Sequence, residues 1–205
     1  MPAVTAIKKK GQKNQFDIYI DGKKLIFLSG DKVVKSKLKP GVELSETELN
    51  SLKAESAQDI YLNRCIRFAS FRPRSRAETT KFIKRIKTPA VLVDTILNNL
   101  SHLGLINDLE FAKWWIDQRQ TFRPKSTQVV SRELMQKGID RETINQVNMV
   151  SSISEEVLAG KAIAGKLSRL KSLPPKEFRQ KAIAFLQRRG FKWETIKSVI
   201  GDIEH

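Results

Sequence analysis

The chain has 205 residues, with 38 lysines and arginines against 22 aspartates and glutamates, for a formal net charge of +16. Hydrophobic residues make up 40%, enough for packed cores, whereas a single cysteine (Cys65) and two histidines (His102 and His205) exclude a disulfide framework and the usual metal sets. The apolar runs fall short of the roughly 20 residues of a membrane span, and no apolar stretch follows the first lysines as in a secretory signal, so a cytoplasmic protein with no membrane partner, metal or cofactor is expected.

Residues 16–20 and 23–28 flank Asp21-Gly22 and together give a hairpin signal, since that pair suits the positive φ values of a type I′ turn. Residues 4–7 predict a third strand, 8–14 a solvated loop, and 31–38 a short helix before Pro40-Gly41. A sheet this small must lean on another element. From Ser45 onward helical periodicity dominates, with helices predicted at 45–54, 57–71, 75–86, 89–103, 108–121, 125–137, 140–149, 153–170, 175–189 and 192–203. Ser75 with Glu78 reads as a capping box, Thr88-Pro89 as a hydroxyl N-cap ahead of a first-turn proline, and Asp108 as an N-cap. Gly104, Gly138 and Gly190 fall where helices should stop.

The helices repeat. Phe71-Arg72-Pro73-Arg74-Ser75 returns 51 residues later as Phe122-Arg123-Pro124-Lys125-Ser126, and Gly138-Ile139 returns 52 residues later as Gly190-Phe191. Such a period, with three helices per unit, signals tandem modules. The expected fold is mainly α: three tandem three-helix repeats in an extended array, with a small N-terminal β-hairpin module. The expected boundaries are 1–44 for the hairpin module, 45–56 for a connecting helix, and 57–107, 108–150 and 151–205 for the repeats. An extended monomer is the expected state.

Catalytic chemistry finds little support. Gly160 to Lys166 has the spacing of a phosphate-binding loop, but the next residue is Leu167, not a hydroxyl, and the stretch is helical in pattern. His102 fits a helix C-terminus, and Cys65 a buried small hydrophobe. Asp108 and Glu110 have no base or metal partner beside them. Phe111, Ala112, Trp115, Ile116 and Phe122 make a core stripe, and Trp114 an expected inter-module contact. No enzyme is expected.

Surfaces remain. The charge sits in three blocks: +7 over 1–40, +7 over 56–90 and +5 over 151–205, around an acidic stretch at 41–55 and a neutral middle. The densest cluster is Arg64, Arg67, Arg72, Arg74, Arg76, Lys81, Lys84, Arg85 and Lys87. Like charges at this density repel unless a polyanion or acidic surface answers them, and arginine suits bidentate contact with phosphate or carboxylate.

Several of these pieces, in order, resemble the RecX family of bacterial RecA regulators: Arg72-Pro73-Arg74-Ser75 with Glu78; Leu103-Gly104-Leu105-Ile106-Asn107-Asp108; Phe111-Ala112 with Trp115 and Arg119; and Arg132-Glu133-Leu134 with Lys137-Gly138-Ile139. The resemblance implies a non-enzymatic modulator that binds along RecA filaments on DNA and inhibits strand exchange and ATP hydrolysis. The RecA filament is then the expected partner, with sequence-independent binding of single- or double-stranded DNA as a weaker one. Arg123, Lys125, Arg132 and Arg169 join the first-module cations as candidate contacts with RecA or DNA. The competing expectation is a DNA-binding protein acting without RecA, with 89–103, 140–149 and 192–203 as groove-reading helices. Their apolar composition speaks against it.

Overall fold

Asp21 and Gly22 both hold positive φ, 49° and 75°, the pair a type I′ turn needs. In the computed structural model, which describes residues 1–11, 14–150 and 153–204, this turn joins strands β2 (Gln15–Ile20) and β3 (Lys23–Ser29). Strand β1 (Val4–Lys9) pairs antiparallel with β2, so the sheet order is β1-β2-β3. Lys8 and Lys9 therefore belong to a strand, not to the solvated loop expected there, because β2 offers them the paired partners Asp17 and Phe16. Gln12 and Lys13 lie outside the described residues.

Strand alternation places Val4, Ile18, Ile20, Ile26 and Leu28 on one buried face, where they pack with Leu38, Leu44 and Leu52. Helix α1 (Gly30–Lys35) follows β3 directly. The sheet leans on α2 (Glu46–Ala69), a single helix where the sequence predicts two. The polar stretch around Ser56 reads as a break, but Ser56 and Asp59 are buried and serve β3 instead. Phe27 donates its amide to Ser56 Oγ (2.8 Å), Ser29 donates to Asp59 Oδ2 (3.0 Å), and Lys32 Nζ reaches Asp59 Oδ1 (2.7 Å). The edge strand is thus closed by helix side chains, which blocks edge-to-edge association. A complete capping box, Ser45 with Glu48, starts α2.

The second half of α2 packs with α3 (Arg76–Arg85) and α4 (Ala90–His102) around Cys65, Ala69, Ile83, Ile96, Leu97 and Leu100. The Phe68 and Phe82 rings stack 4.1 Å apart. Pro89, not Thr88, is the N-cap of α4, since its extended ψ of 136° delays the helix by one residue. The Thr88 hydroxyl is buried with no hydrogen-bond partner among the described residues. Residues 1–72 and 80–105 form one compact unit; residues 73–79 and 106–205 form another.

The second unit holds α5 (Asp108–Phe122), α6 (Thr127–Gln136), α7 (Arg141–Val150), α8 (Glu155–Ala164), α9 (Leu167–Lys171), α10 (Pro175–Arg188) and α11 (Trp193–Glu204). Helices α5 to α7 share a core of Phe111, Ala112, Ile116, Val130, Leu134, Ile139, Ile144 and Val147. Helices α8 to α11 bury Leu158, Ile163, Phe178, Leu186, Phe191 and Ile196. Trp114 packs onto the core of its own module beside Phe111 and Trp115. Phe122 departs from the expected core stripe: it is 71% exposed, because it lies six positions beyond Ile116, which carries it off the buried face. The predicted helix 153–170 is two, with Gly165 as the C-cap of the first. Asn107 rather than Asp108 caps α5, accepting the amides of Leu109 and Glu110.

Asp108 is thereby released for another task. Its Oδ1 accepts the amide of Arg76 (2.8 Å), the first residue of α3. Ser75 accepts the Glu78 amide (3.0 Å) and donates its hydroxyl to the Lys137 carbonyl (2.8 Å). Gly138, at φ 81°, abuts Ala77 so closely that a methyl built on it would overlap the Ala77 Cβ. One repeat later the arrangement recurs. Thr127, the first residue of α6, donates its amide to Glu155 Oε1 (2.7 Å), and Ser126 donates its amide to the Arg189 carbonyl (3.1 Å). Gly190, at φ 86°, abuts Val129 and lies where a methyl would stand 2.8 Å from Ser126 Oγ. Helix α10 begins differently, with Pro174 as its N-cap and Pro175 as its first residue.

Candidate functional site

The cations singled out by sequence are spread over both units. On α2, Arg64 and Arg67 are exposed; on α3 and the turn after it, Lys81, Lys84, Arg85 and Lys87 are exposed as well. The Arg85 guanidinium lies 5.2 Å from the centre of the Phe82 ring, which fixes its stem against the helix. Arg72 is half-buried on the turn following α2. In the second unit, Arg76 is exposed at the start of α3, while Arg74 is half-buried with Nη1 3.9 Å from Glu78. Arg123, Arg132 and Arg169 are exposed.

Lys125 has an intramolecular partner. Glu133 accepts from Lys125 Nζ (2.5 Å), Arg119 Nε (2.6 Å) and Trp115 Nε1 (3.0 Å). Burial pushes the Glu133 carboxyl upward, but hydrogen bonds from Lys125, Arg119 and Trp115 outweigh it and hold the group below the ordinary carboxylate range. The Arg119 guanidinium also sits 4.4 Å from the Trp115 ring centre and Lys137 Nζ 4.8 Å from it, while Lys137 pairs with Glu78 at 2.8 Å. The contacts of Glu133 bind α5 to α6, and Lys137 ties the end of α6 to Glu78 of α3. Arg189 donates to the Pro124 carbonyl (3.0 Å), and its pKa is lowered by burial and by the charge of Arg123.

Cations outside the sequence-based set gather on the N-terminal sheet. The solvent face of the strands carries Lys8, whose Nζ lies 5.0 Å from the Tyr19 ring centre, and Lys10, 5.1 Å from that of Phe27. Lys24 pairs with Asp17 at 2.7 Å. Beside them Arg64 and Arg67 of α2 complete an open groove of about 610 Å³. The strand alternation itself was the available signal, since it sends Lys8, Asp17, Tyr19 and Phe27 away from the isoleucine face. Cys65 is fully buried, which pushes its thiol up to about 11. Gly160 lies inside α8, with its backbone committed to helix. Among the described residues no group of three or more metal-binding side chains is present, and no helix is long and apolar enough to cross a membrane.

Residues 107–147 match the second three-helix domain of RecX and residues 155–200 the third. Regulatory protein RecX of Bacillus velezensis is 30% identical over 207 residues, covering 100% of this chain and 79% of the relative. That of Bacillus subtilis strain 168 is 30% identical over 207 residues, with 100% and 78% covered. Among solved structures, a crystal structure of regulatory protein RecX has a TM-score of 0.71 at 24% identity, covering 98% of this chain and 100% of that one. RecX from Lactobacillus salivarius has a TM-score of 0.59 at 20% identity, covering 72% and 97%. The two structures share the fold, and the sequence relationship covers the full length of the chain: the chain belongs to the RecX family of regulatory proteins.

Proposed function

We propose that the chain inhibits the RecA recombinase, binding along the RecA–DNA filament and limiting its growth, ATP hydrolysis and strand exchange, without chemistry of its own. The observation that carries this reading is the recurring joint: at Gly138 and again at Gly190 a capping serine, a carboxylate that accepts the first helical amide and a close-packed glycine meet, though through different individual atoms. A joint used twice presents successive modules in a repeated setting, which suits a partner that is itself a repeat of one subunit. Cations recur with the modules: Arg72 and Arg123, Arg74 and Lys125, Lys81 and Arg132 are each 51 residues apart. Exposed Lys81, Arg123, Arg132 and Arg169 are placed by this reading against acidic filament surface or DNA phosphate, with Lys125 and Arg74 supporting from within the modules.

The test is DNA-stimulated ATP hydrolysis by the cognate RecA on preformed single-stranded DNA filaments during titration with this protein, beside a titration of bare DNA. Inhibition below the concentration that coats bare DNA supports action through RecA. Inhibition only after bare DNA is saturated refutes it, and leaves a DNA-binding protein acting without RecA.

A further inference from the structure

We propose that the solvent face of the N-terminal sheet, together with the adjoining arginines of α2, is a binding platform for single-stranded nucleic acid. The inference deepens the reading above, since it rests on the protein working where DNA is held in a filament, and it names the surface that meets unpaired bases.

The platform has two chemistries side by side. Tyr19 and Phe27 are half-buried on the outer face of β2 and β3, so each ring is anchored by the sheet and has part of its surface open. Asp17, between them on β2, pairs across the ladder with Phe27. Lys8, Lys10 and Lys24 rise from the same face, and Arg64 and Arg67 stand along its border on successive positions of one helix side. Phe27 lines an open groove of about 610 Å³ with Lys10, Lys24, Arg64 and Arg67, and Tyr19, with Lys8 over its ring, lies outside that groove on the same face of the sheet.

That combination selects the occupant. An acidic protein surface would satisfy the cations but has no use for flat rings on a sheet. A duplex satisfies the cations with its phosphates but keeps its base faces stacked inside. A single strand offers both, since phosphates track the cations while unpaired bases stack on the rings. The lysines now lying over Tyr19 and Phe27 hold those rings by cation–π contact. A stacking base would displace each ammonium toward the phosphate beside it, exchanging one favourable contact for two. The sheet is also firmly seated, because Ser56 and Asp59 of α2 accept amides from β3. The rings and the arginines of α2 are thus held in one frame.

The test uses the full chain without RecA, so its failure leaves the ATP-hydrolysis result standing. Fluorescence anisotropy would follow binding of fluorescein-labelled oligothymidylate of about 20 nucleotides, longer than the ~4–16 a single site occupies, beside a duplex of equal length. The double variant Tyr19→Leu/Phe27→Leu, which keeps apolar volume, is expected to weaken single-strand binding by about 30-fold or more, two stacked bases' worth, and to leave duplex binding nearly unchanged. The double variant Arg64→Gln/Arg67→Gln is expected to reduce the slope of log affinity against log salt by about 1.4, two phosphate contacts' worth. Photocrosslinking with iodouracil oligonucleotides should map to peptides of β2 and β3. Circular dichroism melting confirms that each variant is folded. Folded leucine variants that bind oligothymidylate like the parent, or crosslinks confined to the second unit, would overturn the proposal.

Discussion

Replacing Gly138 with alanine tests the joint most directly. Two penalties coincide there. At φ 81° the backbone is left-handed, which costs an L-residue about 1–2 kcal/mol. The new methyl also overlaps the Ala77 Cβ, and relieving such overpacking costs about 1–3 kcal/mol. The expected loss is about 2–5 kcal/mol. Gly104→Ala supplies the comparison, because its φ of 67° carries the backbone penalty while nothing lies within 4 Å of its added methyl. Urea unfolding followed by far-ultraviolet circular dichroism would read both. With a slope of about 1–3 kcal/mol per molar urea, Gly138→Ala should lower the midpoint by roughly 1 M or more. Adding Ala77→Gly should recover part of that loss by removing the opposing methyl, so the pair is non-additive. If Gly138→Ala is no costlier than Gly104→Ala, and Ala77→Gly restores nothing, the close approach at the joint is not what holds the repeats together.

Glu133→Gln should cost about 1–3 kcal/mol at pH 7 by weakening the contacts of Lys125, Arg119 and Trp115. Because the folded carboxyl is held below its ordinary value of about 4.3, its contribution is complete above that pH and is lost as pH falls through the depressed value; urea midpoints against pH should decline less steeply in the variant. Asp108→Ala should cost about 1 kcal/mol through the lost acceptor for Arg76, and Asn107→Ala about as much at α5; comparable thermal shifts for each would bear this out, and a silent Asp108→Ala would contradict the cross-module cap. Cys65, buried with a thiol pushed up to about 11, should resist Ellman's reagent in the native protein and react fully in urea, and rapid native labelling would contradict its burial.

The repeat was readable because its punctuation is local chemistry. Serine caps and left-handed glycines are dictated within a few residues, and Ser75, Ser126, Gly138 and Gly190 all occupy the places their types demand. The hairpin turn was readable for the same reason. What escaped was tertiary. A polar run in α2 looked like a gap because its partners, the amides of Phe27 and Ser29, lie about 30 residues away in sequence. Asp108 looked like an N-cap for its own helix because nothing in its neighbourhood reveals the amide of Arg76 that it serves. Among the cations, net charge pointed to a surface but could not separate Lys125, engaged with Glu133, from Arg132, which is exposed. The sheet's outer face was missed because its lysines and rings come from three strands, and only pairing brings them together.

The two prolines that open α10 bear on how long such an array can grow. Each joint needs a helix whose first residue gives an amide to a carboxylate of the following module, as Arg76 and Thr127 do. Pro175 occupies that position in α10 and has no amide hydrogen, and Pro174 before it brings no hydroxyl. Whatever follows in the chain, a fourth module could not be attached by the same chemistry. Joining a further repeat to α10 through the same contacts would first require Pro174→Ser and Pro175→Ala.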